Sequence, residues 1–241
     1  MSSFMLLLFG VGTQLLSAQT TLTVAAASDL TTLEPVLQQE FEKPTEVRIR
    51  WVTGASATLA QQIESGAPYD VFLSANAQFV DQLSAKGKIE PNSIEAYAVG
   101  RLGLLWRDGK QHELKDLAAD WVRIVALPNP QLAPYGAAAQ AALEHLRIWT
   151  AVHPKVVYGE NVRQTLQLFE SGNADAVLTS DSLLQGKAAQ LIPGDLHPPI
   201  VQKAGIVAGT KYHKAAEQLL AFLRSPAAQA VFKKFGFSPS F

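Results

Sequence analysis

The stretch Leu22–Leu30, which reads LTVAAASDL, decides the fold. A short uninterrupted apolar run is followed by a serine, an aspartate and the start of a helical pattern. Such runs are typical of parallel strands that are buried on both faces. A serine placed directly after the strand can accept a hydrogen bond from a free N–H of the next helix. We therefore predict a buried strand that leads into a helix capped by Ser28.

The same alternation of strand and helix continues along the chain and predicts an α/β fold with right-handed crossovers. The first helical pattern is expected to begin near Thr32, with Pro35 in its first turn. The remaining strand-like runs are 48–52, 71–74, 103–106, 124–127, 156–158, 176–178 and 206–208. The remaining helical patterns cover 59–63, 138–146, 162–169, 215–224 and 226–235.

Composition excludes several classes of protein. Of the 241 residues, 48% are hydrophobic and only 17% are charged, so the chain is not disordered. A formal net charge of −1 argues against a nucleic-acid-binding protein, which usually carries a basic surplus. The chain has no cysteine, which excludes disulfides, cysteine–zinc sites, iron–sulfur clusters and a cysteine nucleophile.

Residues 1–18 are predicted to be a secretory signal peptide that is cleaved near Ala18. The apolar run from Phe4 to Gly12 is too short to span a bilayer, which needs about 20 residues. The alternative is a buried N-terminal helix. Export predicts a soluble protein in the periplasm.

No linker rich in proline, glycine and serine divides the chain. Two stretches, 96–101 and 201–205, are instead expected to cross between two lobes. Lobe 1 would then be discontinuous and contain residues 20–97 and 205–241, while lobe 2 would contain residues 98–204.

Four predicted strand-to-helix junctions carry small, hydroxyl or glycine and proline residues: Ala25–Leu30, Thr53–Leu59, Pro128–Gly136 and Tyr158–Arg163. In an α/β sheet such junctions lie at the carboxyl ends of the strands, where ligands bind. Helix N-termini present free N–H groups and the positive ends of their dipoles. Each junction alone is explained by ordinary helix capping, but four together could bind an oxyanion without a cationic side chain.

The segments Ala25–Ser28, Gly54–Ile63 and Gly66–Ala75 resemble the periplasmic molybdate-binding proteins of ABC importers, which are type II periplasmic binding proteins. Further similar segments are Ala133–Gly136, Glu160–Arg163 and Phe232–Phe237. The resemblance implies two lobes, each a mostly parallel sheet flanked by helices, joined by a hinge of two crossings. It further implies a monomeric binding protein, not an enzyme, that has no cofactor and delivers molybdate, and tungstate, to an ABC permease in the inner membrane.

The resemblance also implies the ligands of the anion. Ser28 and Ser56 would donate through hydroxyl and backbone N–H groups, and Tyr135 and Val162 through backbone N–H groups, with no direct bond to the metal. Relatives often have a tyrosine ligand where this chain has Leu178. Either the donor is missing, or Tyr135 or Asn161 replaces it.

Alternatives concern the anion and the class of protein. A fully deprotonated tetrahedral dianion accepts hydrogen bonds only, which suits molybdate, tungstate or sulfate, whereas protonated phosphate needs an acceptor. Asp29 is expected in the first helical turn, favoured by the dipole and pointing away from the anion; alternatively it is that acceptor. A serine hydrolase using Ser56 is the enzymatic alternative, although the stretch GASAT at 54–58 lacks the final glycine of a nucleophile elbow.

Overall fold

The computed structural model describes residues 19–240, which form two five-stranded sheets flanked by helices. The predicted signal peptide, residues 1–18, lies outside the described residues. Within the described part of the chain, no helix has the length and apolar character needed to cross a membrane.

The strands are β1 Thr21–Ala27, β2 Arg48–Gly54, β3 Val71–Ser74, β4 Glu95–Gly100, β5 Leu102–Trp106, β6 Val125–Pro128, β7 Val156–Gly159, β8 Ala176–Ser180, β9 Gln190–Leu191 and β10 Ile200–Ile206. The α-helices are α1 Glu34–Thr45, α2 Ser56–Glu64, α3 Ala77–Ala85, α4 Pro134–His145, α5 Trp149–Val152, α6 Val162–Glu170, α7 His213–Leu223 and α8 Pro226–Lys234. Short 3-10 helices cover Ser28–Leu30, Pro91–Ser93, Leu114–Ala118, His153–Lys155 and Asp181–Leu183.

The two sheets have equivalent topologies. The first has the order β2-β1-β3-β10-β4 and the second the order β7-β6-β8-β5-β9. Strands β1 and β6 each pair in parallel with both neighbours, whereas β10 and β5 pair antiparallel with theirs. The predicted two-lobed α/β fold is confirmed, with mixed rather than mostly parallel sheets. We call the layers around the first sheet lobe 1 and those around the second sheet lobe 2.

Each lobe has its own hydrophobic core, and the buried strands explain why. In β3 all four residues are buried: Val71 and Leu73 face one apolar cluster of lobe 1, and Phe72 faces another. Burial on both faces gives the uninterrupted apolar run that predicts this strand from the sequence. The apolar cluster of lobe 2 also includes Ala27 and Ala75 of lobe 1, so apolar contacts join the lobes along the cleft.

The chain crosses between the sheets at two places. β4 ends at Gly100 and β5 begins at Leu102, so Arg101 alone separates strands of different lobes. The return strand is β10, Ile200–Ile206, so the strand expected at 206–208 is wrong by six residues at its start. Residues 200–204, assigned to lobe 2 from the sequence, pair in the sheet of lobe 1. Gln202 and Lys203 break the apolar run in β10, which removed the signal used to find the other strands.

Gly136 allows α4 to begin close to the end of β6. A Cβ atom at Gly136 would lie 2.1 Å from the backbone oxygen of Pro128 and 2.9 Å from the backbone carbon of Asn129. These neighbours are backbone atoms, so only a shift of the helix start could relieve the collision. The first turn of α4 can therefore pack this closely against the end of β6 only because residue 136 has no side chain.

We predict that Gly136→Ala lowers the free energy of unfolding by about 1–3 kcal/mol, the usual range for overpacking in a packed interior. Chemical denaturation measures the change. Gly194→Ala is the control, because a Cβ there meets no atom within 4 Å. Equal stabilities of the two variants would show that α4 can move away from β6 without cost.

Candidate functional site

The four junctions singled out from the sequence meet in the structure. They surround a small cavity between the lobes, with a volume of about 10 Å³. The lining residues come from both lobes and are Ala27, Ser28, Asp29, Gly54, Ala55, Ser56, Ala75, Ala133, Pro134, Tyr135, Asn161 and Val162. The structure thus brings together all five predicted site residues, Ser28, Ser56, Tyr135, Asn161 and Val162.

Lobe 1 contributes Ser28, although not as the helix cap that the sequence predicts. The capping position is held by Ala27, and Ser28 is the first residue of the 3-10 helix. The extended strand β1 continues through Ala27, which moves the helix start by one residue. The Ser28 side chain is therefore not used for capping, and its hydroxyl remains available to a ligand.

Ser56 has the same position at the start of α2, with Ala55 as the cap. Its Oγ accepts a hydrogen bond of 3.1 Å from the N–H of Ala75. A hydroxyl has one proton to donate, and an acceptor role toward Ala75 leaves that proton free. The side chain is buried at the cavity, so the hydroxyl proton of Ser56 remains available there.

Lobe 2 contributes two helix N-termini. Tyr135 lies in the first turn of α4 and Val162 is the first residue of α6. N–H groups in a first turn have no acceptor within their own helix. Asn161 caps α6, because its Oδ1 accepts a hydrogen bond of 3.0 Å from the N–H of Gln164. That bond leaves the side-chain amide of Asn161 as a further donor beside Val162.

The cavity has no cationic side chain: its lining residues include no lysine, arginine or histidine. Asp29 is the one lining residue with an ionisable acid side chain. The donors are therefore hydroxyl groups and amide N–H groups, and the positive potential comes from helix dipoles. Such a site is suited to an anion that accepts hydrogen bonds and donates none.

Asp29 is in the first turn of the 3-10 helix, as expected, and its carboxylate is turned into the interface between the lobes. Oδ2 accepts hydrogen bonds of 2.8 Å from the hydroxyl of Tyr135 and 2.8 Å from Nε2 of Gln202. The second oxygen, Oδ1, is buried without a hydrogen-bond partner. Burial raises the pKa of Asp29 from 3.8 to about 7, against the opposing effect of the two hydrogen bonds.

The tyrosine donor that the resemblance implies for position 178 is absent here, and Leu178 is fully buried within β8. The Tyr135 hydroxyl does not replace it either, since this hydroxyl donates to Asp29. Of the two substitutes considered from the sequence, both line the cavity, but only Asn161 keeps a side-chain donor, because its hydrogen bond to Gln164 uses Oδ1 alone.

The lobes are joined across the cleft by hydrogen bonds that no local sequence pattern indicates. The N–H of Ala57 in lobe 1 donates to the oxygen of Leu132 in lobe 2, at 3.1 Å. Ser182 donates to the backbone oxygen of Asp29 at 2.6 Å and accepts from the Thr32 hydroxyl at 3.0 Å through its own backbone oxygen. These bonds hold the first turns of α2 and of the 3-10 helix against lobe 2.

The arrangement does not resemble a hydrolytic site. No histidine lines the cavity beside Ser56, so its hydroxyl has no general base among the lining residues. In the described part of the chain, no group of three or more histidine, aspartate or glutamate side chains could hold a metal ion.

Two lobes that close on a cavity of uncharged donors define a binding protein of the two-lobed type. The chain belongs to the family of bacterial extracellular solute-binding proteins, whose model matches residues 22–238. This membership confirms the expectation of a binding protein rather than an enzyme.

Individual relatives extend the comparison. The chain is 33% identical to the molybdate-binding protein ModA of Azotobacter vinelandii over 224 residues, covering 89% of this chain and 88% of that protein. The solved structure of the periplasmic molybdate-binding protein of Azotobacter vinelandii superposes with a TM-score of 0.84 at 32% identity, covering 91% of this chain and all of that chain. A sulfate-binding protein of Synechococcus elongatus is more distant, with 26% identity over 230 residues, 81% of this chain and 64% of that protein.

The raised pKa of Asp29 predicts a pH dependence of stability. The unfolded chain loses this proton near pH 4 and the folded chain near pH 7, so the free energy of unfolding falls as pH rises between these values. Asparagine cannot ionise. As pH rises from 4.5 to 8, the free energy of unfolding of Asp29→Asn should therefore increase by on the order of 2–4 kcal/mol relative to that of the wild type.

Denaturant titrations at the two pH values measure this double difference. Asp195→Asn, at an exposed position, is the control and should follow the wild type. Parallel pH curves for Asp29→Asn and the wild type would contradict a buried, hard-to-ionise carboxyl at position 29.

Proposed function

We propose that the chain is a periplasmic solute-binding protein that captures molybdate, and tungstate, between its lobes and delivers it to an ABC permease. The observation that carries the proposal is the convergence of four helix N-termini and two serine hydroxyls on one cavity without a cationic side chain. The names of the related proteins support the choice of molybdate.

The physical match lies in the complementarity of donors and acceptors. Molybdate and tungstate are tetrahedral dianions at neutral pH, and their oxygens only accept hydrogen bonds. Ser28 and Ser56 offer hydroxyl and backbone donors from lobe 1, and Tyr135, Val162 and the amide of Asn161 offer donors from lobe 2. Each bond to a charged group contributes about 1.5–3 kcal/mol. Five to seven of them, less the cost of closing the lobes, give affinity in roughly the micromolar to nanomolar range.

Delivery would follow from the two crossings. Donors of both lobes meet on one ligand, so binding favours a hinge closure about Arg101 and the segment that leads into β10. The closed form is the one a permease would recognise. Export by the predicted signal peptide, residues 1–18, and action as a monomer complete the proposal.

Sulfate or phosphate is the second candidate ligand. Sulfate has the same charge and shape at a smaller size, so rigid donors would meet it with longer hydrogen bonds. Protonated phosphate needs an acceptor, and Asp29 is the one carboxyl at the cavity. Its Oδ2 already accepts two hydrogen bonds, which favours an anion without a proton, and the buried, unpartnered Oδ1 is the oxygen that would have to accept from a protonated one.

A thermal-shift series tests the ligand. A ligand that binds only the folded state increases the free energy of unfolding, by about 2.7 kcal/mol at a concentration of 100 times its Kd. The melting temperature rises as a result. We expect molybdate and tungstate to raise the melting temperature of the wild type, and sulfate and phosphate to raise it less or not at all. A shift with phosphate and none with molybdate would make Asp29 a ligand and overturn the anion assignment.

Serine substitutions test the donors. Ser28→Ala and Ser56→Ala should each raise the Kd for molybdate about tenfold or more, because each removes a hydrogen bond to a charged group. Calorimetric titration measures Kd. Ser65→Ala is the matched control, since Ser65 lies exposed at the other end of α2. Unchanged affinity in both site variants would remove the serine hydroxyls from the proposed ligand set.

A further inference from the structure

Four buried side chains form one hydrogen-bonded network between the lobes and the crossing strands. Asp29 of lobe 1 accepts from Tyr135 of lobe 2 and from Gln202 of β10, each at 2.8 Å. Tyr97 of β4 donates to Oε1 of Gln202 at 3.1 Å. All four are at most 1% exposed. The network therefore ties together both lobes and strands β4 and β10, which lead into and out of the crossings.

The orientation of Gln202 follows from its partners. A tyrosine hydroxyl at high pKa keeps its proton, and burial holds the pKa of Tyr97 well above 10.0. Oε1 of Gln202 therefore accepts the hydrogen bond of the Tyr97 hydroxyl, and Nε2 must face the carboxylate of Asp29. The amide has one arrangement, and it presents a donor to the same oxygen that accepts from Tyr135.

The backbone and the side chain of Asp29 and of Tyr135 have different roles. Both residues line the cavity, at the starts of the two helices whose backbone N–H groups are proposed to bind the anion. Their side chains meet each other across the lobes instead. The bond between these side chains can form only when the lobes are together, which is the arrangement in which both helix starts surround the cavity.

We propose that Asp29, Tyr135 and Gln202 form an interlobe latch, whose hydrogen bonds keep the cleft closed and so slow the release of the bound anion. The part concerning release rests on the proposed function. The three are positioning residues. Their side chains do not bind the anion but hold the two lobes, and with them the backbone donors, in place.

Gly100 supports this role from the first crossing. A Cβ atom there would lie 2.1 Å from the Tyr135 hydroxyl oxygen and 2.9 Å from Nε2 of Gln202. The latch thus fills the space directly beside the residue where the chain leaves lobe 1. Gly100→Ala should break the latch by displacing the Tyr135 hydroxyl and the Gln202 amide, although none of the three latch residues is itself substituted.

Kinetics of molybdate binding test the latch, with Tyr135→Phe as the main variant. The variant keeps the ring and the backbone N–H and loses the bond to Asp29. We expect a dissociation rate 10- to 100-fold faster than in the wild type, equivalent to about 1.4–2.8 kcal/mol, with an association rate within about threefold. Stopped-flow tryptophan fluorescence gives the association rate, and calorimetric Kd then gives the dissociation rate.

Tyr97→Phe is the matched control. It also removes a buried tyrosine hydroxyl from this network, but the lost bond joins two strands of the same sheet. Its dissociation rate should stay within about threefold of the wild type. Asp29→Asn retains an oxygen acceptor, so its dissociation rate should stay close to that of the wild type. Gly100→Ala should release the anion faster, as Tyr135→Phe does.

A second measurement needs no ligand. The amide of Ala57 donates to Leu132 across the cleft, so its hydrogen exchange reports separation of the lobes. In the ligand-free protein, Tyr135→Phe should speed this exchange about 10- to 100-fold and Tyr97→Phe should not. The amide of Val24, within β1, serves as the internal reference for global unfolding.

The two measurements separate the possible failures. If the wild type does not bind molybdate, the proposed function fails, while the exchange of Ala57 still tests the latch. Equal exchange of Ala57 in the two tyrosine variants would overturn the latch. Equal dissociation rates in these variants, in a wild type that binds molybdate, would overturn its role in release.

Discussion

The structure depends on one constraint: uncharged donors must converge on a single point from two separately folded sheets. A helix start supplies N–H groups that its own helix cannot satisfy. In a sheet with parallel central strands, the helix starts that follow those strands lie at one edge. Two such edges facing each other bring four helix starts together, and this is the geometry around the cavity. With a net charge of −1, the chain as a whole would not attract an anion.

Much of this arrangement could be predicted from the sequence because it is local. The segment VFLS at 71–74 is buried on both faces and begins with three apolar residues in a row, so β3 is predicted with its observed bounds. Pro35 fits the first turn of α1, where its missing N–H costs nothing. The four junctions at the cavity are predictable because each lies between a strand and a helical pattern, whereas the individual donors proposed within them come from the resemblance to a binding-protein family.

The remaining features depend on contacts between residues far apart in the chain. The carboxylate of Asp29 is more than one hundred positions from Tyr135, and no local pattern indicates that the two meet. β10 contains a buried glutamine, which interrupts the apolar run that marks the other strands. That glutamine is buried because Tyr97 and Asp29 satisfy its amide, and this pairing exists only in the folded chain. Polar residues in a core are thus the ones that sequence patterns assign least well.

The proposed binding of the anion by main-chain groups has an evolutionary consequence. A backbone N–H persists through almost any substitution except proline, so most single mutations at Tyr135 or Val162 leave the donor itself in place. Changes in anion preference across descendants would then arise through the spacing and tilt of whole helices, as volumes in the surrounding core drift. In such a lineage the positions of the helices would determine the anion preference, and the side chains could diverge extensively without changing it.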